Sequence, residues 1–287
     1  MNAERGTTLP VALQRDGAVR YRLRQSFVYH YDRPVRNLEH RLVVVPPAVH
    51  GDQRLCAGTV SVSDAAASVR WRADAFGNRH CIVDLAEVPP RLELHVSVVV
   101  ERGPIALLRL RPRPPAVGPA RFRRPSPLTA ADGRIEELAH RHAIRGDVLG
   151  TADAFCAVVP ELIRYGFGVT DVQTTAAEAL TLGTGVCQDQ AHLMLAMCRS
   201  VGIAAQYVSG HLVGQGGTHA WTEVHLPGRS AVVAFDPCHG RRADQRYVTV
   251  AVGRDYRDVP PTSGRYEGSG CGQLTTSRLL ESELLAA

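Results

Sequence analysis

One segment restricts the fold more than any other: CQDQAHLMLAMCRSVG, residues 187–202. Its spacing is helical, yet apolar side chains fall on every side of the helix. A helix without a polar face has to be enclosed by other elements, so this one predicts the centre of a domain. Gly202 marks its end. The glycine-rich run Gly183-Thr184-Gly185-Val186 precedes it directly and predicts a sharp turn, which places Cys187 at the helix start.

The flanking patterns say what encloses that helix. DGRIEELAHRHA and ADAFCAVVPELIRYGF have helical spacing with Asp near each start, and a short helix is expected around Thr175–Leu180. Strand patterns follow: AAQYVSGHLV, THAWTEVHL, AVVAFDP and YVTVAVG. Helices first and an antiparallel sheet after them predict an α+β core over residues 130–287. Residues 20–102 differ. Short alternating runs at 20–31, 41–47, 58–64, 68–74, 80–88 and 91–101 are separated by Pro, Gly and Asp, which predicts an antiparallel β domain. Asp74-Ala75-Phe76-Gly77-Asn78 supplies a turn, with Gly77 and Asn78 tolerating positive φ. Residues 1–19 read as a tail. Residues 103–129, rich in Pro and Arg, read as a linker whose Arg121, Arg123 and Arg124 form a solvated face.

Composition narrows the function classes. The net charge is +5 and every Lys/Arg position is Arg. No helix-turn-helix, zinc-finger or aromatic–basic RNA-binding pattern accompanies the charge, so nucleic acid is not the expected partner. No apolar run approaches the roughly eighteen residues of a membrane span, and the N-terminal stretch is too broken for a signal peptide. No membrane association and a cytoplasmic location are the expectations. Seven cysteines occur at irregular spacings without a C-x-x-C pair, which predicts neither a disulfide framework nor a structural zinc site.

Cys187 differs from the other six thiols. At a helix start the free backbone N–H groups and the helix dipole favour an anion, and a thiolate is the nucleophilic form. The same N–H groups can donate to the oxyanion of an attacked carbonyl, the Cys187 N–H being the donor that can be named. Such a thiol needs a base, and the base needs an orienting acceptor. Residues 218–226 and 231–236 read as two strands around Pro227-Gly228. A hairpin centred there sets His225 opposite Ser230, Glu223 opposite Val232, Trp221 opposite Ala234 and His219 opposite Asp236. Facing Cβ atoms lie about 4.5–5.5 Å apart, so Asp236 can accept from one His219 nitrogen and leave the other for a thiol.

Other polar residues receive structural readings. His192 lies about 140° round the helix from Cys187 and is expected in the core. Asp189 suits the positive end of the helix. Trp221 and Glu223 share the His219 face. Trp221, Gln188 and Gly217 form the expected substrate-binding set, with Gly214, Gly216 and Gly217 in a loop before the base. Cys238 follows Asp236 closely enough to approach the site.

Taken together, GTGVCQDQAH, AMCRSVGIAAQYVSGHL, THAWTEVHLPG, VVAFDPCHG and VAVGRDYRDVPP resemble the bacterial transglutaminase-like superfamily over roughly residues 155–262. YRLRQSFVYHYDRPV and ADAFGN resemble the β domain that precedes this core in many bacterial members. The resemblance implies a papain/transglutaminase-like core with Cys187, His219 and Asp236 as catalytic residues. This sequence departs from the pattern at Cys238-His239-Gly240, where Thr-Asn-Gly is usual, and at Gln190, where an aromatic is common.

The chemistry implied is attack on an amide carbonyl to give a thioester. Water then makes the chain a cysteine peptidase or amidase; an amine makes it a transglutaminase-type acyltransferase. A non-catalytic peptide-binding module is the third reading, disfavoured because all three positions hold competent residues. No EF-hand loop or dense acidic cluster suggests calcium, and neither cofactor nor metal is expected. The expected partner is a peptide or protein substrate. The resemblance also suggests association with ATP-grasp peptide ligases.

Overall fold

In the computed structural model of the chain, residues 17–104, 118–228 and 232–285 are described. Residues 1–16 of the tail expected over 1–19, and 105–117 of the linker expected over 103–129, therefore fall outside the described residues.

The N-terminal half is built from β1 (Ala18–Tyr31), β2 (Val35–Val45), β3 (Val49–His50), β4 (Gln53–Val62), β5 (Ser68–Ala73), β6 (Arg79–Val88) and β7 (Arg91–Arg102). Strand β7 shows why these residues pair as strands. Leu92, Leu94, Val96, Val98 and Val100 are buried while the intervening positions are more open, the period of two that a half-buried sheet requires. Two antiparallel sheets pack face to face, with Tyr21, Leu23 and Val98 of one against Leu42, Val44 and Val83 of the other.

The second half contains α1 (Gly133–His142), α2 (Val148–Leu162), β8 (Arg164–Tyr165), α3 (Ala176–Leu182), β9 (Thr184–Gly185) and α4 (Cys187–Ser200). Then come β10 (Ala205–Leu212), β11 (His219–His225), β12 (Val232–Asp236), β13 (Arg241–Arg242), β14 (Tyr247–Gly253), β15 (Thr262–Gly268) and β16 (Gly272–Leu285). Asp132, Asp147 and Thr175 cap α1, α2 and α3 through their side chains. Helix α4 is buried from Gln188 to Arg199. It packs between the other helices and an antiparallel sheet of order β13-β12-β11-β10-β14. The fold is thus α+β with a β region before the core.

Four features differ from the sequence reading. Strands β15 and β16, assigned by sequence to the core, pair instead with β2 and β1 of the N-terminal sheets. They cover edges that would otherwise present unpaired backbone groups. Their largely exposed side chains left no apolar period to read.

The described end of the linker keeps Arg121, Arg123 and Arg124 exposed, as expected of a solvated face, but it is also packed onto the core. Phe122 is buried, lies 5.7 Å from the Phe76 ring and stacks on His225, and the Arg121 guanidinium sits 4.9 Å over Phe76. Arg199, at the end of α4, is buried. It donates to the carbonyls of Phe122, Ala205 and Arg254 and to the hydroxyls of Ser126 and Thr129.

Asn78 is not a positive-φ residue; among the described non-glycine residues only Asn37 is. Asn78 is buried and its amide donates to Val252 O (2.7 Å) and accepts from Val252 N (2.8 Å). Gln53 makes the same pair of bonds with Thr249. Two side-chain amides thus satisfy the outer edge of β14 and join the N-terminal region to the core.

The β11–β12 register is the fourth difference. Thr222 faces Phe235, Glu223 faces Ala234 and His225 faces Val232, a displacement of two residues from the hairpin centred on Pro227-Gly228. A shift of two preserves which side chains share a face, whereas a shift of one would have separated His219 from Asp236.

Candidate active site

The turn before α4 is set by its glycines. Gly183 ends α3 in the left-handed region (φ 63°). A Cβ at Gly185 would meet Asp189 Oδ2 at 2.6 Å. That oxygen accepts from the Val186 N–H (2.7 Å) and the Thr170 hydroxyl (2.7 Å), so Asp189 holds the turn as a cap. Burial pushes the Asp189 carboxyl up, against those two bonds. Cys187 is the first residue of the helix and is half-buried. Its N–H belongs to the first turn, which has no preceding carbonyl within the helix to bond.

His219 begins β11 and is buried. Its Nε2 lies 2.8 Å from Asp236 Oδ2, and Cys187 is one of the groups that raise the imidazole pKa. With Nε2 facing the carboxylate, Nδ1 is the nitrogen left for sulfur. The diagonal register is bridged by the reach of the histidine side chain. Burial would lower the His219 pKa. Asp236 and then Cys187 outweigh burial and bring it up to about 9. Burial likewise works to raise the Asp236 carboxyl, but His219, Tyr247 and His239 hold it down at about 2.

Asp236 is fully buried and heavily donated to. Its Oδ2 accepts from Tyr247 OH (2.6 Å) and pairs with His239 Nδ1 (2.7 Å) besides His219. Its Oδ1 accepts from the backbone N–H of Cys238 (2.9 Å) and His239 (3.3 Å). Neither Tyr247 nor His239 was singled out as a partner of Asp236 from sequence. The departure Cys238-His239-Gly240 was the signal for His239; Tyr247 carried none beyond opening a buried strand. His219 Nε2, Asp236 Oδ2 and His239 Nδ1 lie within 4.8 Å of one another and are of metal-ligand type. They are already joined by short hydrogen bonds.

The expected substrate-binding residues fare differently. Trp221 is only 1% exposed, packed on His219 (6.1 Å between ring centroids) and edge-on to Tyr247 (5.4 Å). It supports the imidazole from within the core and offers no surface to a substrate. Sharing the His219 face meant facing Val208 and Val252, not a cleft. Gln188 is nearly buried beside Cys187, its amide 3.5 Å from Asp171 O. Gly217 is exposed, and its carbonyl accepts from Arg278 of β16. Arg278 also donates to Gln215 O, and the Gln215 amide reaches His239 Nε2 at 3.1 Å.

Of the remaining thiols, Cys56 and Cys271 are exposed on the N-terminal strands and the turn before β16, away from His219, and the other four are more enclosed. Burial pushes Cys81 up to about 11 and Cys156, Cys198 and Cys238 up to about 12. For Cys238, the Asp236 and Cys187 charges add to the effect. His192 is buried, accepts from the Tyr256 N–H (3.2 Å) and is lowered to about 4 by burial, as a neutral core histidine should be.

A buried helix that presents a thiol at its start, facing an imidazole and a carboxylate on an adjacent antiparallel sheet, defines the papain/transglutaminase-like class. The comparisons narrow this. Residues 138–237 match the model of the transglutaminase-like superfamily, and residues 21–101 match the bacterial transglutaminase-like N-terminal region. The chain belongs to the bacterial transglutaminase-like superfamily.

Among its relatives is an uncharacterized protein of Mycobacterium tuberculosis, 28% identical over 299 residues, covering 92% of this chain and 91% of the relative. An uncharacterized protein of Mycobacterium leprae is 34% identical over 160 residues, covering 52% of this chain and 56% of the relative. A crystal structure described as a candidate cysteine protease from Cytophaga hutchinsonii shares the fold. Its TM-score is 0.74 at 19% identity, covering 95% of this chain and 92% of that one.

Proposed function

We propose that the protein is a cysteine-nucleophile hydrolase acting on peptide or side-chain amide bonds through a thioester. The observation that carries this reading is the buried Asp236–His219 pair at 2.8 Å, supported by Cys187 at the start of α4 raising the pKa of the same imidazole.

In the proposed reaction, the Cys187 thiolate attacks the amide carbonyl and the Cys187 N–H donates to the oxyanion. The C–N bond breaks, and His219 gives its Nδ1 proton to the departing amine. Water then attacks the thioester carbonyl and loses a proton to His219. The C–S bond breaks, releasing a carboxylic acid and restoring Cys187. Asp236 stays ionised throughout, fixing the imidazole orientation and stabilising its cationic form.

A cytoplasmic setting belongs to the same proposal. All seven cysteines are free, as in chains kept in a reducing compartment. Among the described residues, no helix is long and apolar enough to cross a membrane.

Acyl transfer to an amine would share the thioester. The two reactions separate when a Gln-containing peptide pool is incubated with the protein, with and without a labelled primary amine. Hydrolysis predicts chain cleavage or acid release with no label incorporated. Amine incorporation exceeding acid release would overturn the hydrolase assignment in favour of transfer.

A further inference from the structure

The segment between α2 and α3 has an unusual surface. Among the described residues between 118 and 261, six large apolar side chains are exposed, and four of them lie within 165–172: Tyr165, Phe167, Val169 and Val172. Phe167 is 79% exposed, and its ring meets Tyr165 edge-on at 5.2 Å. A concentration of apolar surface on one loop marks a place where something else is buried.

That loop is fixed to the start of α4 at several points. Arg164 N–H donates to Gly183 O (3.0 Å) and Gly166 N–H to Gly185 O (2.8 Å), in parallel pairing of β8 with β9. The Thr170 hydroxyl donates to Asp189 Oδ2, and the Gln188 amide reaches Asp171 O. Tyr165 therefore pairs with Gly185, two residues before Cys187. The Tyr165 phenol is pushed up chiefly by burial, then by the charges of Cys187 and Cys238. From Tyr165 to Thr170 the loop carries no charged side chain. The Asp171 carboxylate accepts from the N–H groups of Gln173 (2.7 Å) and Thr174 (3.1 Å).

We propose that residues 165–169 form the specificity wall of the Cys187 cleft, with Phe167 and Val169 receiving a bulky apolar side chain of the peptide that supplies the acyl group. This rests on the reading of Cys187 as nucleophile and adds the substrate class to it. The wall is continuous with the nucleophile through the β8–β9 pairing. It is already ordered, so binding loses little entropy in shaping it. A charged substrate side chain would lose its water against Tyr165, Phe167 and Val169 without finding a partner, whereas an aromatic or branched aliphatic one would cover surface now exposed to water.

The test uses acetyl-Phe-Gly and acetyl-Ser-Gly chloromethyl ketones, which alkylate a thiolate as the C–Cl bond breaks and chloride leaves. The rate of Cys187 modification is measured on the full chain by peptide mapping and divided by the iodoacetamide rate of the same protein. The Phe probe should be favoured by about tenfold or more, the scale of one apolar side chain in a pocket. That preference should fall to within about twofold in Phe167→Ser, and partly in Val169→Ser. Equal rates for the two probes in the wild type, or a preference unchanged in Phe167→Ser, would overturn the inference while leaving iodoacetamide labelling of Cys187 intact. Failure of iodoacetamide to modify Cys187 would bring down the nucleophile reading, and this inference with it.

Discussion

Strand β11 carries two buried carboxylate–imidazole pairs of nearly identical geometry. At its start, His219 Nε2 lies 2.8 Å from Asp236 Oδ2; further along, Glu223 Oε1 lies 2.8 Å from His50 Nε2. In each pair the carboxyl is held low and the imidazole raised, because each partner favours the charged form of the other against burial. What differs is the third group. Beyond His219 stands the Cys187 thiol. Around Glu223 stand Gln206, which donates to it at 2.7 Å, and through Gln206 the His225 ring. His50 belongs to β3 of the N-terminal region, so the second pair joins the two halves of the molecule. Under the proposed function, the same interaction serves reaction in one place and assembly in the other, and the neighbour decides which.

Substitutions should separate the two pairs cleanly. Asp236→Asn should lower the turnover of an amide substrate by about a hundred- to ten-thousandfold, as when a base loses its orienting carboxylate. In the wild type, turnover should fall as pH rises through about 9, because His219 then loses the proton it donates to the leaving amine. Since Asp236 raises His219, that fall should move to lower pH in Asp236→Asn. A turnover within tenfold of wild type with an unmoved alkaline limb would contradict the role given to Asp236.

Glu223→Ala should act in the opposite way. It leaves His50 without its buried partner and should destabilise the fold by about 3–5 kcal/mol, read by denaturant titration. The Glu223 and His50 contribution is fully present between the unfolded carboxylate and imidazole pKa values, from about pH 4.3 to 6.5. It fades as pH falls through the lowered Glu223 value or rises through the raised His50 value. Cys187 should keep its reactivity wherever the Glu223→Ala protein is folded. Loss of that reactivity in the folded protein would break the contrast.

The parts legible in sequence were those written in local pattern. The apolar surround of 187–202 gave the central helix, and Gly183 to Gly185 gave its start. The alternation along 218–226 put His219 on one face, and parity kept Asp236 there despite a register displaced by two residues. What stayed hidden depended on contacts distant in the chain. Nothing near Gln53 or Asn78 announces that their amides cap β14 from almost two hundred residues away. Strand β16 is exposed along most of its length, so only its pairing with β1 reveals it. Trp221 had the right face and the wrong neighbour, because alternation cannot tell a cleft from a second packed layer. The aromatic loop beside Cys187 lies between two helices, where periodicity is silent.

The central claim is that His219 activates Cys187 and no other thiol. It is tested by mapping iodoacetamide modification at pH 6 in the wild type and in His219→Ala. Cys187 should be modified faster than the exposed Cys56 and Cys271, with Cys81, Cys156, Cys198 and Cys238 protected by burial and raised pKa values, and with only the Cys187 rate suppressed in His219→Ala. Equal modification of several cysteines, unchanged by the substitution, would contradict it.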